Sequence, residues 1–196
     1  MAITELRLTL EEFLALPEEK PALEFFRGKV TQKVAPDRTH SMLQTMLPEH
    51  INRFARPREL AMAFTELRAV FGNEGLVPDV SIYRWDRVPF DADGDVVGGN
   101  AEPPSVAIEI LSPGQSATSI MEKCLGLVEQ GTEIALMIDA KARVIMDIRA
   151  DGRVRALRGS DEIDLSSILP NFDLTVDDVF ALLRRPAPDR PIDRTE

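Results

Sequence analysis

The segment Ser105–Leu111 is the part of the sequence that most limits the fold. It reads Ser-Val-Ala-Ile-Glu-Ile-Leu, an almost continuous apolar run that is typical of a strand covered on both faces. Alternate residues of a strand face opposite sides, so Glu109 shares a covered face with Ala107. A carboxylate in that position is costly unless it is paired, hydrogen-bonded or bound to a metal. The alternative is an edge strand, in which Glu109 simply lies in water.

A strand covered on both faces requires helices packed against its sheet, and the residues that follow supply one. A helix is predicted from about Ser119, where Ser119 and Glu122 form a capping box, and Gly131 ends it. The next strand is predicted at Ile134–Asp139. A right-handed crossover through this helix makes the two strands parallel neighbours. We therefore predict an α/β fold with a mixed central sheet flanked by helices.

The remaining elements are predicted from periodicity and turn residues. They are a short helix capped by Thr9, a hairpin that turns at Gly28, a helix over Met42–Phe54 with a kink at Pro48, strands at Leu60–Phe64, Leu67–Phe71 and Val77–Tyr83, a hairpin around Asp151-Gly152, and a short helix capped by Thr175. Residues 84–104 are rich in glycine, proline and acidic residues and are predicted to form a surface loop. We expect one domain over residues 1–185 and a disordered tail over residues 186–196.

The overall charge bears on the partners that such a chain can have. Its formal net charge is -10 at pH 7, whereas non-specific DNA affinity comes largely from lysine and arginine. A DNA contact would therefore need a locally basic face. The candidates are Arg53, Arg56, Arg58 and Arg68, or Arg84 and Arg87. The alternative is that these arginines are solvated surface charges.

The cysteine and histidine content and the hydropathy of the chain exclude several classes of protein. The single cysteine, Cys124, cannot form an intrachain disulfide, which fits a reducing cytoplasm. His40, His50 and that cysteine are too few for a recognisable zinc finger. The start of the chain has no apolar region of a signal peptide, and no apolar run approaches the roughly 18 residues of a spanning helix. We expect a cytoplasmic protein without a membrane partner.

Two further residues could act together with Glu109. Asp79 lies in the predicted strand Val77–Tyr83, and two carboxylates that converge at one end of a sheet would suit Mg²⁺ or Mn²⁺, which prefer oxygen ligands. Lys123 lies at the margin of the apolar stripe of the next helix, where its stem can follow apolar surface while the ammonium reaches the end of the sheet. The alternative for Lys123 is an ordinary lysine at the boundary of that stripe.

Several short motifs follow one another in a recognisable order. They are Leu10-Glu-Glu-Phe-Leu-Ala-Leu-Pro17, Glu24-Phe-Phe-Arg-Gly-Lys-Val30, Pro78-Asp-Val80 and Glu109-Ile-Leu-Ser-Pro113, with Lys123 and Asp139 at matching places after them. This order, from about Thr9 to Leu183, resembles the Uma-two family, a bacterial family assigned to the endonucleases of the PD-(D/E)XK superfamily. The resemblance implies a restriction-endonuclease-like mixed central sheet flanked by helices.

The resemblance also implies roles for the candidate residues. Asp79 matches the first metal-binding acid of the family, and Glu109 matches the second, with the backbone carbonyl of Ile110 as a further ligand. The standard pattern places a lysine two residues after the second acid, where this chain has Leu111. In this family the lysine lies on the following helix, and Lys123 matches it.

Two accessory positions and some departures complete the comparison with the family pattern. Glu24 matches an acid of the first hairpin that lies near the metal, and His40 matches a frequent position at the head of a helix, the alternative being a surface or capping histidine. The chain has Ile134 and Ala135 in place of an aromatic pair, and Leu127 in place of a frequent tyrosine. We interpret these departures as packing changes at the rim of the site.

These residue types and the resemblance together predict a function. We expect a metal-dependent endonuclease that hydrolyses DNA phosphodiester bonds, with Asp79, Glu109 and Lys123 as the catalytic set and Mg²⁺ or Mn²⁺ as the cofactor. The alternative is a catalytically silent nuclease-fold protein that binds nucleic acid or a protein partner, which the acidic charge favours. Small proteins of this fold often pair, so a homodimer is also expected.

Overall fold

The structure is a computed structural model that describes residues 8–185. Its helices and strands, in chain order, are α1 (Leu10–Leu14), β1 (Leu23–Phe26), β2 (Lys29–Gln32), α2 (Arg38–Ala55), β3 (Ala61–Thr65), β4 (Ala69–Phe71), β5 (Glu74–Leu76), β6 (Val80–Arg84), β7 (Val106–Ile110), α3 (Ala117–Glu129), β8 (Ile134–Asp139), β9 (Val144–Arg149), β10 (Val154–Leu157) and α4 (Val176–Ala181). Short 3-10 turns lie at Arg56–Arg58 and Trp85–Arg87. The predicted tail over residues 186–196 lies outside the described residues.

Six strands form the central sheet, in the order β10-β9-β8-β7-β6-β3. Strands β7 and β8 are parallel, while every other neighbouring pair of this sheet is antiparallel. The parallel pair is joined through α3, because two parallel strands need a crossover rather than a hairpin. The predicted mixed central sheet flanked by helices is confirmed.

Strand β7 lies inside this sheet and is buried along its whole length. On one face its residues Val106, Ile108 and Ile110 pack in a core that also contains apolar residues of α2 and α4. On the other face Ala107 packs with Leu127 of α3. Both faces are therefore covered, and the edge-strand alternative for Glu109 is wrong.

A second sheet, of four short antiparallel strands in the order β2-β1-β5-β4, carries the predicted hairpin. It lies close to α3 at Gly126, where an added Cβ would be 2.5 Å from Cε2 of the Phe26 ring on β1. The absence of a side chain at Gly126 thus allows a close approach between α3 and β1. This approach matters because Lys123 on α3 and Glu24 on β1 meet in the same region.

The helix starts follow local capping, with one correction. Thr9 and Thr175 form capping boxes, as the first and last helices were predicted to begin. Helix α3, however, begins at Ala117, and its N-cap is Ser116, whose hydroxyl accepts a hydrogen bond from the backbone N–H of Ser119. The predicted start at Ser119 was therefore wrong, because the serine three residues earlier satisfies the free N–H groups first.

Helix α2 and the loop after β6 differ in detail from the prediction. Helix α2 begins after the Asp37 N-cap, four residues before the predicted Met42, and runs through Pro48 to Ala55. The loop after β6 contains the 3-10 turn and isolated bridges, such as that between Ala69 and Ala101. Within residues 8–185, no helix combines the length and the apolar character needed to cross a membrane.

Candidate active site

Asp79 and Glu109 meet at one end of the central sheet. Antiparallel pairing places Val80 of β6 opposite Ile108 of β7, and the continuation of this register places Asp79 opposite Glu109. Each carboxylate residue is only 2% exposed. Oδ2 of Asp79 accepts a hydrogen bond of 2.7 Å from the backbone N–H of Ile110. Two residues that are thirty positions apart in the chain thus share one buried location because their strands are neighbours.

Lys123 reaches the same location from α3. Its Nζ lies 2.7 Å from Oε1 of Glu109 and 2.5 Å from Oε1 of Glu24, and it also faces the backbone carbonyl of Val77 at 3.4 Å. The residue is 6% exposed. A lysine is almost never buried to this degree unless it is paired. Lys123 is therefore a buried cation between two carboxylates rather than a lysine at the boundary of an apolar stripe.

Glu24 connects the small sheet to the chain that leads into Asp79. It lies on β1, is 7% exposed, and its Oε1 accepts a hydrogen bond of 2.8 Å from the backbone N–H of Val77. The same carboxylate oxygen contacts Lys123. Glu24 thus holds both the ammonium of Lys123 and the backbone two residues before Asp79.

Lys33 is a second lysine at the site, partly buried, which the sequence patterns did not predict. It follows β2, and its Nζ donates to Oδ1 of Asp79 at 2.6 Å and to the carbonyl of Val77 at 2.8 Å. Its side chain is 10% exposed. The signal that could have found it is the alternation of Lys29, Thr31 and Lys33, which is the period of a strand with one polar face.

His40 lies in the first turn of α2 and joins Asp79 to the end of β7. Its Nδ1 is 2.7 Å from the hydroxyl of Ser112, and its Nε2 is 3.3 Å from Oδ1 of Asp79. The residue is buried, as is Ser112. The surface alternative for His40 is therefore wrong, and its ring contacts Oδ1 of Asp79 while the N–H of Ile110 donates to Oδ2.

The environment shifts the pKa values of the two acids in opposite directions. Burial disfavours ionisation of Asp79, but the hydrogen bond from His40 and the charge of Lys33 outweigh it and hold the pKa of Asp79 well below its usual range. Burial raises the pKa of Glu109, and the neighbouring charge of Asp79 adds to this while Lys123 opposes it. Neighbouring acids with opposite shifts are typical of sites that carry chemistry.

The pKa of Lys123 is also shifted. Burial disfavours its charged form, but the carboxylates of Glu109 and Glu24 outweigh burial and raise the pKa of the ammonium. Cys124, the next residue, is fully buried, and burial raises the pKa of its thiol. Lys123 therefore stays protonated at neutral pH, whereas Cys124 is an inert core residue.

The two carboxylates are oxygen donors of the kind that a divalent cation binds. Within residues 8–185, no three side chains of His, Cys, Asp or Glu form a metal-binding cluster. Mg²⁺, however, is commonly held by one or two carboxylates together with waters and substrate oxygens. Oε1 of Glu109 is buried and has no hydrogen-bond donor of good geometry in this part of the chain, although Lys123 is near. Asp79 and Glu109 therefore fit such an ion, and Ile110 contributes an observed N–H contact to Asp79, while the predicted role of its carbonyl as a ligand stays a prediction.

These side chains line a cavity of about 440 Å³ between the β1–β2 hairpin and the start of α3. None of the arginines that the sequence analysis considered for a DNA-binding face lines it. Four of those arginines instead pair with surface carboxylates, namely Arg53 with Glu49, Arg68 with Glu18, Arg84 with Glu133 and Arg87 with Glu102. For these four arginines, the structure agrees better with the alternative that they are surface charges than with a DNA-binding face.

Asp147 offers a contrast to Glu109. It lies on β9, is fully buried, and pairs with Arg149 at 2.6 Å and with Arg155 at 2.9 Å. Both of its oxygens accept hydrogen bonds from these arginines. Asp147 is thus a structural acid with both oxygens hydrogen-bonded, whereas Oε1 of Glu109 is held by its ion pair with Lys123.

The fold is that of the restriction-endonuclease-like class. The chain belongs to the Uma2 (Uma-two) family, whose model, described as "Putative restriction endonuclease", matches residues 10–177. It is 33% identical to a "putative nuclease belonging to DUF820" from Anabaena variabilis ATCC 29413, whose crystal structure aligns over 90% of this chain and 99% of that chain with a TM-score of 0.85. This membership confirms the resemblance that the motifs indicated.

Two other comparisons add little. A cryo-EM structure of a DrdV–DNA complex is 14% identical over 78% of this chain and 12% of that chain, with a TM-score of 0.40. That score is too low to bear on the fold. A search among curated proteins found no significant match.

Proposed function

We propose that this protein is a metal-dependent endonuclease that hydrolyses phosphodiester bonds of DNA. The observation that carries the proposal is the convergence of Asp79, Glu109 and Lys123 at one cavity. Membership of a restriction-endonuclease-like family supports the reaction class. Phosphodiester hydrolysis needs an activated water and stabilisation of charge on the phosphate, and this set contains residue types that suit both.

Asp79 and Glu109, with the carbonyl of Ile110, would hold Mg²⁺ or Mn²⁺. When bound, such an ion lowers the pKa of a water molecule and acts as a Lewis acid. Asp79 suits the role because two groups fix its carboxylate: the N–H of Ile110 and the ring of His40. A ligand fixed in this way loses little conformational freedom when it binds.

Lys123 would orient the attacking water or stabilise the charge that develops on the phosphate. Its raised pKa keeps the ammonium charged at neutral pH. Glu24 and Glu109 hold that ammonium between them. Glu24 therefore suits a positioning role on Lys123, since its Oε1 is already used by Lys123 and by the N–H of Val77.

The proposal is tested by a calorimetric titration of Mn²⁺ into the wild type, Asp79→Asn and Asp93→Asn, followed by a plasmid-nicking assay on the same samples. Asp93 lies on the exposed loop after β6 and serves as the matched control. We expect binding and nicking in the wild type and in Asp93→Asn, and neither in Asp79→Asn. Absence of Mn²⁺ binding in the wild type would exclude the proposed site.

A catalytically silent protein that binds nucleic acid or a protein partner is the second candidate. Two observations favour it: the net charge of -10, and the ammonium groups of Lys33 and Lys123, which already neutralise the acids of the site. Binding of Mn²⁺ without nicking would support this candidate. Nicking that Glu109→Gln abolishes would exclude it. The expected homodimer stays a prediction, which a light-scattering mass decides.

A further inference from the structure

Lysine is scarce in this chain and concentrated at one place. The sequence has five lysines, and three of them, Lys29, Lys33 and Lys123, line the cavity that contains Asp79 and Glu109. Arg27 lines it as well. In a chain with a net charge of -10, this is a local concentration of basic side chains.

The geometry of β2 places most of these charges on one wall of the cavity. Strand β2 is an edge strand of the small sheet and is exposed along its length. Side chains at alternate positions of a strand point to the same side, and Lys29, Thr31 and Lys33 all line the cavity. At about 3.3 Å per residue, this row extends over roughly 13 Å.

The basic residues of this wall differ in how far they are already engaged. Lys33 forms an ion pair with Asp79, and its Nζ lies 2.6 Å from the carboxylate. Arg27 is more than half exposed, lies over the ring of Phe26, and is 3.9 Å from the exposed Glu129. Lys29 has no ion-pair partner among residues 8–185 and is exposed. Lys29 is therefore free to contact an external anion, and Arg27 has only a long, exposed pairing with Glu129 to exchange for one.

The lining of the cavity is neutral overall, but its charges are unevenly placed, and those on the exposed part of the hairpin are basic. Its lining has four basic side chains and four acidic ones, namely Arg27, Lys29, Lys33 and Lys123 against Glu24, Asp79, Glu109 and Glu122. The acids that contact lysine lie at the bottom of the site, whereas Arg27 and Lys29 lie on the exposed hairpin. A chain of phosphates could therefore follow the hairpin while one of them reaches the acids.

We propose that the β1–β2 hairpin, through Arg27 and Lys29, contacts the sugar–phosphate backbone of the DNA whose scissile phosphate lies at Asp79 and Glu109. This inference rests on the proposed function and adds the surface that holds the substrate. The contact is electrostatic and independent of base sequence, because lysine and arginine on phosphates position a nucleic acid but do not read it. It also replaces the arginine faces considered from the sequence, most of which pair elsewhere.

The test compares Arg27→Gln/Lys29→Gln with Arg53→Gln/Arg58→Gln, a matched pair of exposed arginines outside the cavity. Binding of a fluorescent DNA duplex is measured by anisotropy in Ca²⁺ at several salt concentrations, and a gel checks that the duplex stays intact. Each lost phosphate contact reduces the slope of log K against log salt by about 0.9. In the hairpin variant, we expect the magnitude of this slope to fall by about two. We expect its affinity for the duplex at 0.1 M salt to fall roughly ten- to a hundredfold. The arginine control should bind as the wild type does.

Three outcomes would overturn the inference: an unchanged slope in the hairpin variant, an equal loss in the control, or a wild type that binds no duplex. A calorimetric titration of Mn²⁺ separates a contact from a structural role, since neither substituted residue touches Asp79 or Glu109. We expect normal Mn²⁺ binding in the hairpin variant, and its loss would show damage to the site instead. If nicking depends on Asp79 while the hairpin variant binds DNA normally, this inference fails and the proposed function stands. Capture of an acidic protein rather than DNA by the same residues would also overturn it.

Discussion

The ammonium of Lys123 lies 2.7 Å from Oε1 of Glu109, and both residues are almost completely buried. One comes from strand β7 and the other from the helix that follows it. Each charge is therefore removed from water and depends on the other for its stabilisation. A buried pair of this kind adds little net stability compared with apolar residues, but breaking it leaves an uncompensated charge, which is expensive.

Replacement of Lys123 by methionine should therefore lower the free energy of unfolding by about 3 kcal/mol, the low end of the range for a broken buried pair. The loss is limited because Glu109, whose pKa is already raised, can take up a proton. Glu109→Gln in the Lys123→Met background should recover part of the loss. Urea denaturation of the two single variants and the double variant in EDTA measures this. If the double variant lost the sum of the free energies lost by the two single variants, Lys123 and Glu109 would not be coupled.

Asp79 should make stability depend on pH in the acid range. Its folded-state pKa lies below the ordinary carboxyl value, so its ionised form stabilises the folded protein above about pH 4, and this contribution is lost as the pH falls below that value. The advantage of the wild type over Asp79→Asn should therefore shrink from pH 5 to pH 3. Urea denaturation in EDTA at each pH gives the difference. A constant difference would show that Asp79 is not stabilised by ionisation.

Glu109 should show the opposite sign. Its folded-state pKa is raised above the ordinary carboxyl value, so the folded protein holds the proton more tightly than the unfolded chain does. Its contribution to stability is fully present below about pH 4 and is lost as the pH rises toward its folded-state value. In EDTA, the stability of Glu109→Gln relative to the wild type should therefore rise from pH 4 to pH 7, on top of the constant cost of removing one partner of Lys123. The same denaturation series checks this. If the relative stability of Glu109→Gln rose toward low pH instead, the pKa of Glu109 would be lowered in the folded protein rather than raised.

The position of the two acids could be predicted because it depends on local patterns. The apolar run around Glu109 indicates a covered strand, and the Pro78-Asp79 pair indicates the start of another. Neither pattern shows that the two strands are neighbours. That step had to be assumed, because pairing of β6 with β7 joins residues separated by a long loop.

The residues that sequence reasoning missed depend on contacts distant in the chain. Lys33 reaches Asp79 across forty-six positions. The alternation of Lys29, Thr31 and Lys33 indicates a polar strand face but does not identify Asp79 as the partner. Strand β5 is short and has Gly75 at its centre, so local propensity does not favour a strand, and its pairing with β1 and β4 forms it. The start of α3 was misplaced because Ser116 and Ser119 are both good caps, and only the folded chain shows which one is used.

Lys33 should compete with a metal ion for Asp79. Its ammonium lies 2.6 Å from Oδ1 of Asp79, the same oxygen that faces His40. A divalent cation held by Asp79 would be repelled by this charge, and a few ångströms of separation in a partly buried site make the repulsion worth at least about 1–2 kcal/mol. Lys33→Met keeps the apolar stem and removes the charge, so we expect the affinity for Mn²⁺ to rise by about tenfold.

Calorimetric titration of Mn²⁺ into Lys33→Met and into Lys141→Met, an exposed lysine outside this cavity, measures the effect. The control should match the wild type. If Lys33 instead served mainly to hold the Asp79 carboxylate in its binding orientation, removal of the ammonium would lower the affinity. The sign of the change therefore distinguishes a competing cation from a positioning residue, since His40 and the N–H of Ile110 hold Asp79 in both cases.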